Sequence, residues 1–297
     1  MSSHPRRPSA AHAAVAATLS ILCASLAHAG DAARSGKLLL TGGVNSLEGT
    51  AGGGLTPWAL IGGYGTEDQI GANAFATTVR SKDYALQSTG VLLGIHDRVE
   101  LSAARQRFDT RAVGGLLGLG NGYSFSQNII GVKVKVAGDA VLEQDSWLPQ
   151  IALGVQRKQN NRGALLRTLG ARQDSGNDFY LSATRLSLDT GLLLNATLRA
   201  TKANQTGILG FGSPNGDKYD VVFETSTVWL IRKNIALGAE FRQKPNHLAF
   251  KESNWADVFV AWTPNKNLSL TFALADLGNI VIKDKQTAAY LSVQVGF

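Results

Sequence analysis

One short pattern recurs along this chain and constrains it more than anything else. Val132-Lys133-Val134-Lys135-Val136 sets three valines against two lysines at alternate positions. Successive side chains of a strand point to opposite faces, so such a strand is apolar on one face and charged on the other. Ile151, Leu153 and Val155 alternate with Ala152, Gly154 and Gln156. Leu192, Leu194, Ala196 and Leu198 oppose Asn195, Thr197 and Arg199, and Ile235, Leu237, Ala239 and Phe241 oppose Gly238, Glu240 and Arg242. Ala256, Val258, Val260 and Trp262 oppose Asp257, and Leu268, Leu270, Phe272 and Leu274 oppose Ser269 and Thr271. Six strands with charge or small polar groups on the second face do not fit a small soluble sandwich. They fit a wall with lipid outside and water inside. The expected fold is all-β, a transmembrane antiparallel β-barrel, because only closure satisfies every backbone group in lipid.

The N-terminus reads as an export signal over residues 1–29. Arg6 and Arg7 form a positive region, Ala13 to Leu26 an apolar one, and Ala27-His28-Ala29 a small-x-small cleavage site before Gly30. Beyond it no apolar run nears the roughly 20 residues of a spanning helix. Cys23 is the one cysteine and leaves with the signal, so no disulfide is expected. Residues 30–297 are read as a single barrel domain. The formal net charge of +7 is dispersed, without a basic run interleaved with aromatics, which argues against nucleic acid as a partner.

The connections alternate in length. His96-Asp97-Arg98, Ser187 to Gly191, Arg232 to Asn234 and Thr263 to Lys266 are short. Asp109 to Gly122, Gln159 to Asn177, Lys202 to Lys218, Gln243 to Ser253 and Asp276 to Thr287 are longer. Outer-membrane barrels have short periplasmic turns and longer outer loops. Counting from Lys37 gives about 14 strands. Within the N-terminal segment 30–56, glycine-rich Gly42 to Gly54 is either a first outer loop or a piece folded into the lumen. In the second case, with Trp58 to Tyr64 unpaired, the count is about 12. Ten aromatics near strand ends suit interfacial girdles: Trp58, Tyr64, Tyr84, Phe108, Tyr123, Trp147, Tyr219, Trp229, Trp255 and Trp262. Leu165, Leu166 and Leu169, with Arg162, Arg167 and Arg172 around them, suit a short amphipathic helix in an outer loop.

The last strand places Leu291, Val293, Val295 and Phe297 on one face. It resembles the closing strand of bacterial outer-membrane barrels, whose assembly machinery reads a terminal aromatic, here Phe297. Four further stretches carry a family resemblance: Gly36 to Val44, Gly52 to Trp58, Asp97 to Ser102, and Asp145 to Gln150. They resemble an uncharacterised family of proteobacterial exported proteins, a domain of unknown function numbered 3034, placed among outer-membrane barrels. The resemblance covers nearly the whole mature chain. It implies location and fold, and brings no catalytic or binding residue.

Catalysis finds little support, and no enzyme is expected. After cleavage only His96, in a tight turn, and His247, in an outer loop, remain. No cluster has metal-ligand spacing, so neither a metal nor a cofactor is expected. The lumen face is the better candidate. Lys133, Lys135, Arg199 and Arg242 project there, as do Glu100, Glu224, Glu240 and Asp257; such charges either set ion selectivity or brace the wall. The expected function is a passive porin or channel for small solutes. Gated uptake of hydrophobic compounds and a non-conducting structural or adhesion barrel are the alternatives. Expected partners are outer-membrane lipid, lipopolysaccharide, the barrel-assembly machinery and small solutes.

Overall fold

A computed structural model describes residues 37–145 and 147–297; the expected export signal lies outside them. Two short strands come first, β1 (Val44–Asn45) and β2 (Ala51–Gly52). Six longer ones follow: β3 (Ile70–Ser81), β4 (Ala85–Ile95), β5 (Val99–Asp109), β6 (Ser124–Ala137), β7 (Gln150–Asn160) and β8 (Ser175–Ser187). The rest are β9 (Leu192–Thr201), β10 (Asp220–Arg232), β11 (Ile235–Arg242), β12 (Trp255–Asn265), β13 (Leu268–Asp276) and β14 (Thr287–Gly296). From β3 onward each strand pairs antiparallel with its sequence neighbours. β14 pairs with β3, closing a barrel of 12 strands. Phe297 continues that seam: its N–H donates to Ala72 O at 2.8 Å and its carbonyl accepts from Ala72 N at 3.0 Å.

The strand count corrects the estimate of 14 to the lower alternative of 12. Lys37 to Leu40 and Trp58 to Tyr64 do not join the wall. The reason lies in their pattern. Trp58, Ala59, Leu60 and Ile61 are apolar in succession and all buried, whereas a wall strand needs one polar face.

Wall strands keep the expected parity. In β12, Trp255, Asp257, Phe259, Ala261 and Thr263 face in, while Ala256, Val258, Val260 and Trp262 face out. The outer surface carries exposed Val91, Ile130, Leu153, Val221, Leu274 and many like them. A belt of that extent is what a bilayer covers and what a soluble monomer does not expose.

At one end the connections are 96–98, 188–191, 233–234, 266–267 and the longer 138–149. At the other, the 82–84 turn accompanies the long loops 110–123, 161–174, 202–219, 243–254 and 277–286. Two short helices sit in the long loops, α1 (Val113–Leu116) and α2 (Gly163–Thr168). The expected amphipathic helix is α2: Leu166 is buried while Arg162 and Arg167 are exposed.

The aromatic girdle is only partly present. Tyr219, Trp229 and Trp262 face out, but Trp58, Tyr84, Phe108 and Trp255 are buried inside. Strand parity decides this: Phe108 and Phe125 fall on the inner face, where Tyr84 stacks on Phe108 at 5.3 Å between ring centroids.

Candidate functional site

The inside of the barrel is occupied by the chain's own N-terminal segment. Residues 40–63 are buried, apart from a half-buried Gly43. The segment is folded around the small β1–β2 hairpin, whose register is Val44↔Gly52 and Asn45↔Ala51. It is too irregular to satisfy its own backbone, and a buried backbone group without a partner is costly. The wall supplies the partners, and this accounts for its polar inner face.

Glu100 and Lys133, facing each other across β5 and β6, form the first anchor. Their ion pair measures 2.9 Å, with both side chains about 1% exposed. The Glu100 carboxylate accepts from Ala51 N at 3.0 Å, Gly62 N at 2.9 Å and Thr50 Oγ1 at 2.7 Å. Lys133 Nζ donates to Ala51 O at 3.0 Å and Trp58 O at 3.1 Å. One wall pair thus clamps both strands of the fold-back.

The second anchor is Glu48, carried into the middle of the lumen by the plug. It pairs with Lys158, with Arg242 Nη2 at 2.9 Å and with Arg199 Nη1 at 3.5 Å. Asp178 and Glu224 complete the cluster: Lys158–Asp178 is 2.7 Å and Arg199 Nε–Glu224 is 2.5 Å. Three cations meet three carboxylates, so the cluster is neutral only while Glu48 is in place.

The third anchor is Glu240. It accepts from Leu55 N at 2.8 Å, Thr56 Oγ1 at 2.5 Å and Ser226 Oγ at 2.9 Å. The plug comes so close that a β-carbon on Gly53 would stand 2.1 Å from Glu240 Oε1, so any side chain there would have to displace the anchoring carboxylate. Asp257 faces Glu240 across β11 and β12, and both of its carboxyl oxygens are buried without a hydrogen-bond partner. An unpaired buried carboxyl beside another carboxylate disfavours the folded state. Asp257→Asn is therefore expected to stabilise the barrel by about 1–2 kcal/mol. The unfolding temperature in detergent reads this, and an unchanged or lower value would count against it.

Seven of the eight candidate residues, Glu100, Lys133, Arg199, Glu224, Glu240, Arg242 and Asp257, thus lie buried on the inner face. Lys135 instead sits at the short-turn rim, 2.6 Å from Asp97 and 3.4 Å from Asp139, and Asp97 also pairs with Lys37. Three further members of the network escaped the sequence reading. Lys158 was within reach, since it shares parity with Gln156 on its strand, whereas no alternation had been read along the strand that carries Asp178. Nothing in the sequence marks Glu48.

A second closure lies at the long-loop end. Residues 203–211 dip toward the plug, and Thr206 O accepts from Lys158 Nζ at 3.2 Å and Gln127 Nε2 at 3.3 Å. Gln205 and Thr206 have φ of 44° and 60°, a region non-glycine residues occupy only when held there. The next loop holds them: Lys244 Nζ donates to Gln205 Oε1 at 2.6 Å, and Glu252 accepts from Gln205 N at 2.8 Å.

Burial pushes Lys244 down to about 7 and Glu252 up to about 7, the attraction of Lys244 opposing the latter shift. Between pH 4.5 and 7 the closed loop holds the extra proton on Glu252, so closure weakens as pH rises. Between 7 and 10.5 the opened loop holds it on Lys244, so closure strengthens as pH rises. Opening of 203–211, measured by hydrogen exchange corrected for intrinsic rate, is expected to peak near pH 7. The peak should vanish in Lys244→Met/Glu252→Gln.

Between this strap and the plug lies an apolar cavity of about 40 Å³. Leu47 and Leu55 of the plug floor it, Tyr84, Phe108 and Trp255 wall it, and Leu209, Leu277 and Ile280 of the loops roof it. It holds a water or two at most. His96 is exposed at the short-turn end, and His247 Nε2 lies 3.2 Å from Asp220 at the other. Among the described residues no group of three His, Cys, Asp or Glu side chains could hold a metal.

Residues 41–294 match the family described as "Protein of unknown function (DUF3034)". The chain belongs to that family. No curated protein matches it. Among solved structures it is similar to the "KdgM porin", at 10% identity and a TM-score of 0.50, over 76% of this chain and 99% of that one. The "NanC porin" follows at 8% identity and 0.47, over 76% and 98%. The outer membrane phospholipase A from Escherichia coli aligns at 11% and 0.42, over 80% and 98%. At such identities the likeness shows a porin-like barrel fold and nothing finer, and the last two overlaps are too loose to bear on the site.

Proposed function

We propose that this family member is a gated transport barrel of the bacterial outer membrane, taking up small hydrophobic compounds. The observation that carries the reading is the filled lumen. A passive pore needs a continuous water path, and residues 40–63 occupy it through two ionic anchors and the hydrogen bonds of Glu240. The apolar cavity under the long loops favours an apolar cargo over an ion or a sugar. In this reading the long loops face the medium, solute widens the cavity by lifting the 203–211 strap, and plug movement opens the way onward. Outer-membrane lipid and lipopolysaccharide surround the belt, and the assembly machinery reads Phe297.

Planar-bilayer conductance and binding of an environment-sensitive apolar dye test it together. Wild-type barrel is expected to show no steady conductance and to take up the dye, with Leu209→Asp weakening the dye at least about tenfold. Steady ohmic conductance from wild type would restore the passive porin. Silence together with no dye binding would favour the structural barrel.

A further inference from the structure

The outer wall changes character on one side only. Along β4 to β7 the outward residues are apolar from the short-turn end as far as Val91, Ala103 and Ile130, which stand in register. Beyond that line they become cationic and polar. Arg157 of β7 stands in register with Ile130, Arg105 of β5 with Asn128, and Arg107 of β5 with Ser126. All three arginines are exposed. On β12 to β14 the outward Ala256, Val258, Leu274 and Ala289 at the same end are apolar, and the rim beyond them carries Asp276 and Thr287 rather than a cation.

Arg107 and Arg157 are held without being neutralised. Arg107 donates to Ser124 Oγ at 2.9 Å from Nη2 and 3.2 Å from Nε. Arg157 donates to Ser175 Oγ at 2.9 Å and Asn177 Oδ1 at 3.3 Å. Neutral oxygens thus orient the guanidinium groups, and among the described residues no carboxylate pairs with Arg105, Arg107 or Arg157. Strand spacing puts β5 and β7 about 10 Å apart, and Arg105 and Arg107 are about 7 Å apart along one strand. Three cations at the edge of an apolar belt, two of them fixed, can hold an anion whose tails lie along that belt. Guanidinium favours phosphate, which it meets with two parallel hydrogen bonds.

We propose that this face binds the phosphorylated head group of an outer-leaflet glycolipid, with Arg105 and Arg107 on one phosphate and Arg157 on another. A disaccharide with a phosphate at either end matches the separation. A single phosphodiester reaches only one of the two positions. Asn128, in register between Arg105 and Gln159, and Ser126 offer neutral donors to the sugars. The inference rests on the reading that the long loops face the medium, since only then does the patch meet the outer leaflet.

The test uses the full barrel in phosphatidylcholine nanodiscs, titrated with bis-phosphorylated lipid A and followed by native mass spectrometry. One tightly retained lipid A is expected per barrel. Its affinity should fall at least about tenfold in Arg105→Gln/Arg107→Gln/Arg157→Gln, and also for a dephosphorylated lipid A. Arg98→Gln, at the short-turn end, should leave binding unchanged. Heat-dependent gel mobility reports whether each variant keeps its fold. Equal binding by wild type and the triple variant overturns the proposal, as does equal retention of phosphatidylglycerol. Orientation is read separately, by labelling Lys218→Cys in intact cells with an impermeant maleimide. Absent labelling with lipid A binding intact sinks the orientation and leaves the arginine site. Labelling without lipid A binding sinks the site alone.

Discussion

Glu48→Ala is expected to unseat the plug without dismantling the barrel. The substitution leaves Lys158, Arg199 and Arg242 facing only Asp178 and Glu224, all of them buried. Removing one member of a buried ionic cluster costs about 3–5 kcal/mol, because the remaining charges are uncompensated in a low dielectric. The plug is held to the wall elsewhere by Glu100, Lys133 and Glu240, so the cost falls on its seating, and the strand ladders are untouched. The population with an unseated plug should rise by roughly two to four orders of magnitude. Frequent conductance steps in planar bilayers, absent from wild type, would report it. So would protease cleavage between residues 40 and 63 in barrels that keep their heat-dependent mobility. A variant as silent and as resistant as wild type would mean the ionic cluster does not hold the plug. Glu48→Gln, which keeps the shape and loses the charge, should fall between the two.

Lys133→Glu should act as strongly from the wall side. It replaces the partner of Glu100 with a second carboxylate at an in-register position, where the two cannot separate. It also removes the donor to Ala51 O and Trp58 O. Ala51 O keeps its bond from Trp58 N at 3.1 Å, but like-charge repulsion and the unpaired Trp58 carbonyl together cost at least about 3 kcal/mol. Release of residues 51–62, cation-selective conductance and dye uptake altered in parallel are the expected readouts. Lys135→Glu provides the contrast. Lys37 also neutralises Asp97 at that rim, and Lys135 is partly solvated, so the effect there should be about 1–2 kcal/mol. Equal effects of the two substitutions would contradict the clamp described for Glu100 and Lys133.

The sequence reading and the structure agree where the physics is local and part where it is not. Alternation is a property of one strand, so the inward and outward faces of β6, β9, β11, β12, β13 and β14 were legible residue by residue. Turn length is also local, which made the two ends of the barrel distinguishable. The girdle was less legible. An aromatic near a strand end is consistent with either face, and Tyr84, Phe108 and Trp255 took the inner one. The role of the lumen charges was not legible. A lysine opposite valines looks the same whether it faces water or clamps Ala51 O and Trp58 O.

What the sequence by itself determined was the wall: an apolar face toward lipid, a polar face within, and connections of alternating length. Those follow from a two-residue period and from the need to pair every backbone group in a bilayer. What only the tertiary structure decided was the interior. The segment around Glu48 lacks a period of its own, and its backbone partners on the wall lie 38 to 249 residues away, from Glu100 to Gln294. Such long-range pairing leaves no trace in local pattern, so a chain that reads as a barrel with an open lumen folds into one whose lumen is filled.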